Sequence, residues 1–306
     1  MIYVIGGTNI DVSIHSFEKV KLYDKNPGYH IKSYGGVARN IAFNLGLLKQ
    51  DINFVTVVGK DGIDSFKELN DINIDTSLSI IKNDYNTSTY YCFIDNSNND
   101  MFVACSCMDI YDHLDYNDFS FLVDIIKDDD IVVFDTNLNQ KELESLIKSL
   151  KGFKIIDPIS QAKVVRLKNC LSYIDVLKPN IFELGELSGI NIIDKDSFYK
   201  ACEIVINKGI KHLFVTLNKD GSFYYSKTKQ IYLKANEIDV VNTIGAGDAY
   251  MAGITYGFNN KLSIEDTMRL AAKLSEETLK CEESVNKKIG GITLWTLEWV
   301  MKSNKH

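Results

Sequence analysis

Asn242-Thr243-Ile244-Gly245-Ala246-Gly247-Asp248 places two glycines around an alanine, with a carboxylate directly after them. A helix-compatible apolar run, Ala249-Tyr250-Met251-Ala252-Gly253-Ile254, follows. Small residues leave backbone N–H groups open to an anion, and the positive end of a helix adds to the attraction. A carboxylate this close to a phosphate would repel it, so anion binding alone does not account for Asp248. The position suits a group that orients and deprotonates a hydroxyl attacking the phosphate. Gly245, Ala246, Gly247 and Asp248 therefore read as a phosphoryl-transfer centre.

The 306 residues around this segment are 45% hydrophobic and carry a formal net charge of -7. That length allows one large domain or two small ones, with ample apolar material for a core. The acidic excess argues against a general nucleic-acid binder, which needs a basic face. No uninterrupted apolar run reaches transmembrane length. Met1–Gly7 reads as a first core strand, being too short and lacking the basic leader of a signal peptide. A cytoplasmic protein with neither a nucleic-acid polymer nor a membrane as partner is expected. Cys92, Cys105, Cys107, Cys170, Cys202 and Cys281 form no CxxC pair, and the five histidines add no metal-ligand spacing. Neither structural zinc nor a disulfide is expected. Cys105 and Cys107 would share one face of a strand, as small buried hydrophobes.

Strand-like and helical runs alternate along the chain. Ile2–Ile5, Phe54–Val58, Asp130–Phe134, Phe153–Ile156, Val176–Leu177 and Leu213–Leu217 read as strands covered on both faces. Val37–Leu48 and Gln140–Leu150 read as helices, and Ser263 with Asp266 resembles a capping box opening a helix to about Leu279. The pattern predicts a doubly wound, mainly parallel α/β sheet flanked by helices. Val12–Ser33 and Thr87–Ser106 instead alternate polar and apolar residues, as half-exposed antiparallel strands do. Asp95-Asn96-Ser97-Asn98-Asn99-Asp100 suits a hairpin turn. Segments 12–33 and 87–106 are expected to form a small sheet projecting from a single domain of residues 1–306. That sheet suits a lid over the site, and equally an edge elaboration or a homodimer contact.

Other motifs are ambiguous taken singly. Gly35-Gly36-Val37-Ala38-Arg39-Asn40 opens the first long helix with glycines that let backbone lie against a ligand, or simply punctuates a turn. Asn9 and Asp11 follow the first strand, where α/β sheets place ligands, but both residue types also form turns. Asn180 and Glu183, in Lys178-Pro179-Asn180-Ile181-Phe182-Glu183, hold magnesium through water or start a helix. Thr216-Leu217-Asn218-Lys219-Asp220-Gly221 cradles phosphate or turns a hairpin.

In this order the motifs resemble the PfkB, or ribokinase-type, carbohydrate kinases along nearly the whole chain. GGVARN is similar to that family's N-terminal signature and NTIGAGD to its DTxGAGD signature, with the N-x-x-E and T-L-G-x-x-G elements between them. Asn242 replaces the usual aspartate and Asn218 a usual glycine; asparagine tolerates left-handed backbone, so the second loop survives. GGVARN, Met108–Leu114, Asp135-Thr136-Asn137-Leu138, Asn242 and Cys281–Asn286 resemble the pseudouridine-kinase subgroup.

The resemblance implies ATP and Mg2+, and often a monovalent cation such as K+ near the last signature. It implies that Asn9, Asp11, Gly35, Gly36 and Asn40 bind the sugar, with Asp135 and Asn137 near a base. ATP would meet Asn180, Thr216, Asn218, Gly221 and Asn286, with Glu183 in the outer shell of magnesium. Asp248 would accept the proton of the 5′-hydroxyl, with a pKa held low by the helix N-terminus. Two other enzyme classes are excluded by motif: Gly6-Gly7-Thr8-Asn9 does not continue as the G-x-G-x-x-G of dehydrogenases, and no P-loop is present. A non-catalytic sugar-binding relative would be expected to lose the base, and Asp248 is retained.

Overall fold

Strands without a polar side pair into the centre of the molecule because both of their faces must be covered. The computed structural model describes residues 1–97 and 100–291. Its strands, in chain order, are β1 (Ile2–Ile5), β2 (Asn9–Ser16), β3 (Gly28–Gly35), β4 (Ile52–Val55), β5 (Val57–Val58), β6 (Ile80–Ile81) and β7 (Thr89–Asp95). They continue with β8 (Asp100–Cys107), β9 (Ile131–Asp135), β10 (Phe153–Asp157), β11 (Val176–Leu177), β12 (His212–Thr216), β13 (Ser222–Tyr225) and β14 (Gln230–Leu233). Eight form one sheet in the order β14-β13-β12-β11-β10-β9-β1-β4. From β4 to β12 all neighbours are parallel, and β13 and β14 return antiparallel. The expected fold class is found.

Alternation along β1 shows how the sheet is covered. Val4 packs in a buried cluster with Ile41, Met251 and Leu274, and Ile5 in another with Leu146, Val205 and Leu213. The first layer is built by the helices Val37–Leu47, Ala246–Asn259 and Ile264–Leu279; the second includes Gln140–Ser149 and Lys195–Asn207. Element ends fall within a residue or two of expectation, as fraying ends do. The run 54–58 is an exception: β4 joins the large sheet, while β5 pairs with β6 in a separate two-stranded one.

The alternating segments form a second sheet, ordered β3-β2-β7-β8. Its two hairpins are antiparallel as expected, but β2 and β7 run parallel. The chain between those two passes through the main body, which frees it from hairpin geometry. Asp95 opposes Asp100 across the β7–β8 turn, whose Asn98 and Asn99 lie outside the described residues. Cys105 and Cys107 do share a face, with sulfurs 3.9 Å apart, but both are exposed. Their strand, β8, is an edge of a thin sheet with no core against it. All six cysteines are free. Among the described residues no helix is long and apolar enough to cross a membrane.

Candidate active site

Gly245 starts the site. It sits at φ +81°, and a Cβ there would lie 1.8 Å from the Ser284 carbonyl oxygen, so only glycine fits. The helix Ala246–Asn259 begins at once, which puts Asp248 in its first turn at 8% exposure. Asn40 Nδ2, from the helix Val37–Leu47, donates to Asp248 Oδ2 at 2.8 Å. The pKa of Asp248 is raised to about 7, first by burial and then by the charge of Asp157, against the Asn40 hydrogen bond and Lys178. The helix N-terminus does not hold this carboxyl low as expected; loss of water outweighs a partial charge.

A cavity of about 870 Å3 opens from Asp248 toward the β12–β13 turn, the segment 233–240 and the helix Ile264–Leu279. Ala246, Gly247, Thr216, Asn218 and Gly221 line it. Residues 218–221 lie in the connection of an antiparallel pair and border the cavity. Asn218 takes φ 53°, a left-handed backbone that asparagine tolerates in place of glycine.

Asn180 and Glu183 also line the cavity. They form a reciprocal capping box: Asn180 Oδ1 accepts from the Phe182 and Glu183 N–H groups, and Glu183 Oε2 accepts from the Asn180 N–H at 2.8 Å. Among the described residues no three His, Cys, Asp or Glu side chains cluster to hold a metal directly. Two carboxylates that line the cavity, Glu183 and Asp157, are of the kind that hold a hydrated magnesium ion through water.

Lys178 and Asp157 carry no motif that marks them in the sequence, beyond standing before prolines at strand ends. Folding brings Lys178 Nζ to 3.1 Å from Asp157 Oδ2, with side chains only 7% and 6% exposed. Burial disfavours the ammonium, but Asp157, Glu183 and Asp248 around it raise its pKa, so it stays cationic. It lies 3.5 Å from where a Cβ on Gly247 would stand. A fixed positive charge thus sits beside the glycine loop.

Asn286 departs from expectation. It does not line the cavity; its amide donates to the Glu277 carbonyl and accepts from the Lys288 N–H, closing the end of the helix Ile264–Leu279. Asn242 donates to the Glu282 carbonyl at 2.7 Å and accepts from the Ile244 N–H. A carboxylate there could not make the first bond, which gives the asparagine a physical reason.

On the other side of Asp248, Gly36 caps the helix Val37–Leu47 at φ +109°, where a Cβ would meet the Gly7 carbonyl at 2.4 Å. A Cβ on Gly35 would stand 2.2 Å from Asp11 Oδ2. Burial raises the pKa of Asp11 to about 6, with Arg39 opposing. Asn9 Oδ1 accepts from the Ser88 hydroxyl. Asn40 Oδ1 is buried without a partner, an acceptor free for a hydroxyl. Arg39 itself is structural: it pairs with Glu68 at 2.7 Å and lies over the Tyr34 and Phe43 rings.

Asp135 and Asn137, expected near a base, are both engaged within the protein. Asp135 is 0% exposed and both its oxygens are occupied by protein N–H groups. Asn137 donates to Asp135 and accepts from Lys163 Nζ at 2.6 Å. Lys163, unmarked in the sequence, also reaches the Met108 sulfur at 3.6 Å, and burial lowers its pKa.

Residues 1–288 match the pfkB family carbohydrate kinases. The chain is 29% identical over 289 residues to the pseudouridine kinase of Escherichia coli, covering 93% of this chain and 92% of that one. A crystal structure from Clostridium perfringens described as a sugar kinase superposes with a TM-score of 0.87 at 30% identity, covering 97% and 95% of the two chains. An Arabidopsis thaliana ribokinase complexed with ribose and ATP shares the fold at 20% identity, with a TM-score of 0.81 and 97% and 98% coverage. The chain belongs to the PfkB family of carbohydrate kinases.

Proposed function

We propose that this sugar or nucleoside kinase transfers the γ-phosphoryl group of ATP to the 5′-hydroxyl of a nucleoside, pseudouridine in preference to others. The observation that carries the chemistry is Asp248: a buried carboxylate with a pKa near the working pH, at a helix start, between a large cavity and the Asn9–Asp11–Asn40 group. A base poised this way suits proton transfer from an alcohol better than an ordinary carboxylate does. Asn40 fixes its orientation. The new bond joins the substrate oxygen to the γ-phosphorus, the proton passes to Asp248, and the bond to the bridging oxygen breaks with its electron pair leaving on ADP. Lys178 and the N–H groups of Ala246 and Gly247 stabilise charge on the phosphates. Asp157 and Glu183 would hold magnesium through water, and that ion supplies neutralising charge at the phosphates.

Asn9, Asp11 and Asn40 supply directional donors and acceptors for sugar hydroxyls. The small sheet, which carries Asn9 and Asp11 on β2, acts as a lid over them within one kinase domain. An activity that consumes ATP works in the cytoplasm. Pseudouridine as the substrate rests on similarity to the E. coli pseudouridine kinase over nearly the whole chain. It rests also on Asn137 Oδ1 at the base end, an acceptor that takes one donor from Lys163 and has a second lone pair for a ring N–H. Pseudouridine exposes one more ring N–H than uridine, which a polar site can discriminate strongly.

The test is kcat/KM for pseudouridine, uridine, ribose, fructose and 2-keto-3-deoxygluconate with one enzyme preparation. Pseudouridine is expected to lead. Equal or higher efficiency with uridine or ribose overturns the substrate assignment and leaves the kinase standing.

A further inference from the structure

Four N–H groups from three segments converge on one buried carboxylate. Asp135 Oδ2 accepts from the Gly7 N–H at 3.0 Å, the Ala38 N–H at 2.9 Å and Asn137 Nδ2 at 2.8 Å; Oδ1 accepts from the Asn137 N–H at 2.9 Å. Four donors favour the ionised carboxylate, against the full burial that raises the Asp135 pKa. The approach is close enough to require glycine on the facing loop. A Cβ on Gly6 would lie 2.4 Å from Asp135 Oδ1, and one on Gly7 2.2 Å from Asn137 Nδ2.

The three segments are those that carry the sugar-side groups. Gly7 and Thr8 lead into Asn9 and Asp11. Thr8 is pinned next in line, its N–H donating to the Tyr111 hydroxyl, which donates in turn to the Thr8 carbonyl. Ala38 lies in the first turn of the helix that carries Asn40, and Asn40 holds Asp248. Asn137 holds Lys163.

We infer that Asp135 is a positioning residue of the kinase. Its carboxylate sets the placement of the Asn9–Asp11 loop against the Asn40–Asp248 pair, and touches no substrate itself. The inference rests on the proposed kinase reaction but not on which acceptor is used. Asp135 is fully buried and every hydrogen bond it accepts comes from the protein, so the group acts through what it holds. Loss of the carboxylate lets the β1–β2 loop and the helix start move independently. Sugar binding then suffers, while the nucleotide cavity, built from residues beyond position 156 apart from Val37, does not.

The experiment compares wild type with Asp135→Asn, using the acceptor that wild type turns over best. The amide keeps the size but turns part of its edge into a donor facing donors. The acceptor KM is expected to rise about tenfold or more, with the ATP KM within about twofold of wild type. Because the charge of Asp135 also raises the Asp248 pKa, the inflection of the rate against pH is expected to move down. A folded variant whose acceptor KM stays within about twofold of wild type, whatever its melting temperature and whether or not the inflection moves, overturns the inference and reduces Asp135 to a structural role. Should Asp135→Asn not fold, Gly7→Ala perturbs the same junction through Asn137, and the same split between the two KM values is read. Inactive wild type would instead sink the kinase reading itself.

Discussion

Asn40 and Asp248, 208 positions apart in the chain, meet in a 2.8 Å hydrogen bond at the centre of the site. The bond joins the GGVARN segment to the NTIGAGD segment. It orients a carboxylate that burial would otherwise leave protonated. Asp248→Asn preserves shape and can still accept from Asn40, so the fold is expected to persist. Turnover is expected to fall by about 100-fold or more with both KM values little changed, the cost of losing a positioned base. Steady-state kinetics check this, and near-normal turnover would remove Asp248 from the mechanism.

The same substitution has a stability signature. In the native state Asp248 titrates at about 7, well above the ordinary range. Between the unfolded and folded pKa values the native protein holds a proton that the unfolded chain has released. Stability contributed by this group therefore falls as pH rises through that window, and the penalty is complete above pH 7. Asparagine carries no such penalty. The melting temperature of Asp248→Asn is expected to exceed that of wild type at pH 8 and to approach it near pH 4, as calorimetry at the two values would show.

Two carboxylates shape the rate profile. Asp248 must be ionised to accept a proton, and Asp11 must be ionised to accept fully from a sugar hydroxyl. Their pKa values are raised to about 7 and about 6 by burial. In the free enzyme kcat/KM for the acceptor is expected to fall with slope one below pH 7 and to steepen toward two below pH 6. Asp11→Asn should abolish the steeper part while raising the acceptor KM. A profile flat from pH 5.5 to 8 contradicts this assignment.

The large sheet was legible because doubly covered strands show unbroken apolar runs such as Ile131–Phe134, and the helix start that carries Asp248 because NTIGAGD is local in sequence. The small sheet was legible from alternation, yet the parallel β2–β7 pairing was not, since a chain path through the main body leaves no turn motif. Lys178–Asp157, Lys163 and the four-donor role of Asp135 were hidden for a different reason. Each depends on which segments meet beside the strand ends, and single charged residues there are too common to signal that. The basicity of Asp248 was misjudged because helix polarity is visible in sequence and burial depth is not.

The two glycines of the signature should fail differently. Gly245→Ala puts a Cβ 1.8 Å from a backbone carbonyl at a positive φ, so it is expected to cost about 2 kcal/mol or more of stability. Gly247→Ala meets only the flexible end of Lys178 at 3.5 Å, an ordinary contact. It should leave stability nearly unchanged. Gly247→Val, with a branched side chain, should displace the lysine and raise the ATP KM while lowering turnover. Thermal melts and ATP titrations of the three variants separate fold from function, and unchanged ATP binding in a folded Gly247→Val would show that this loop does not cradle the phosphates.

Lys178 offers the last separation, between holding phosphate and tuning the base. Its ammonium is buried beside Asp157 and lowers the Asp248 pKa, while three carboxylates raise its own. Lys178→Met keeps the length and removes the charge. Asp157 is then left buried without its partner, so stability at neutral pH is expected to fall by about 3 kcal/mol. With that cation gone, Asp248 holds its proton more tightly, and the inflection of kcat/KM should move to higher pH. Phosphate charge also loses a fixed partner, so turnover should drop at every pH, including values well above the new inflection. If activity returns fully at high pH, Lys178 acts only by tuning Asp248. If a deficit of about tenfold or more persists there, the ammonium also stabilises the transferring phosphoryl group, which is the outcome expected from its place beside Gly247.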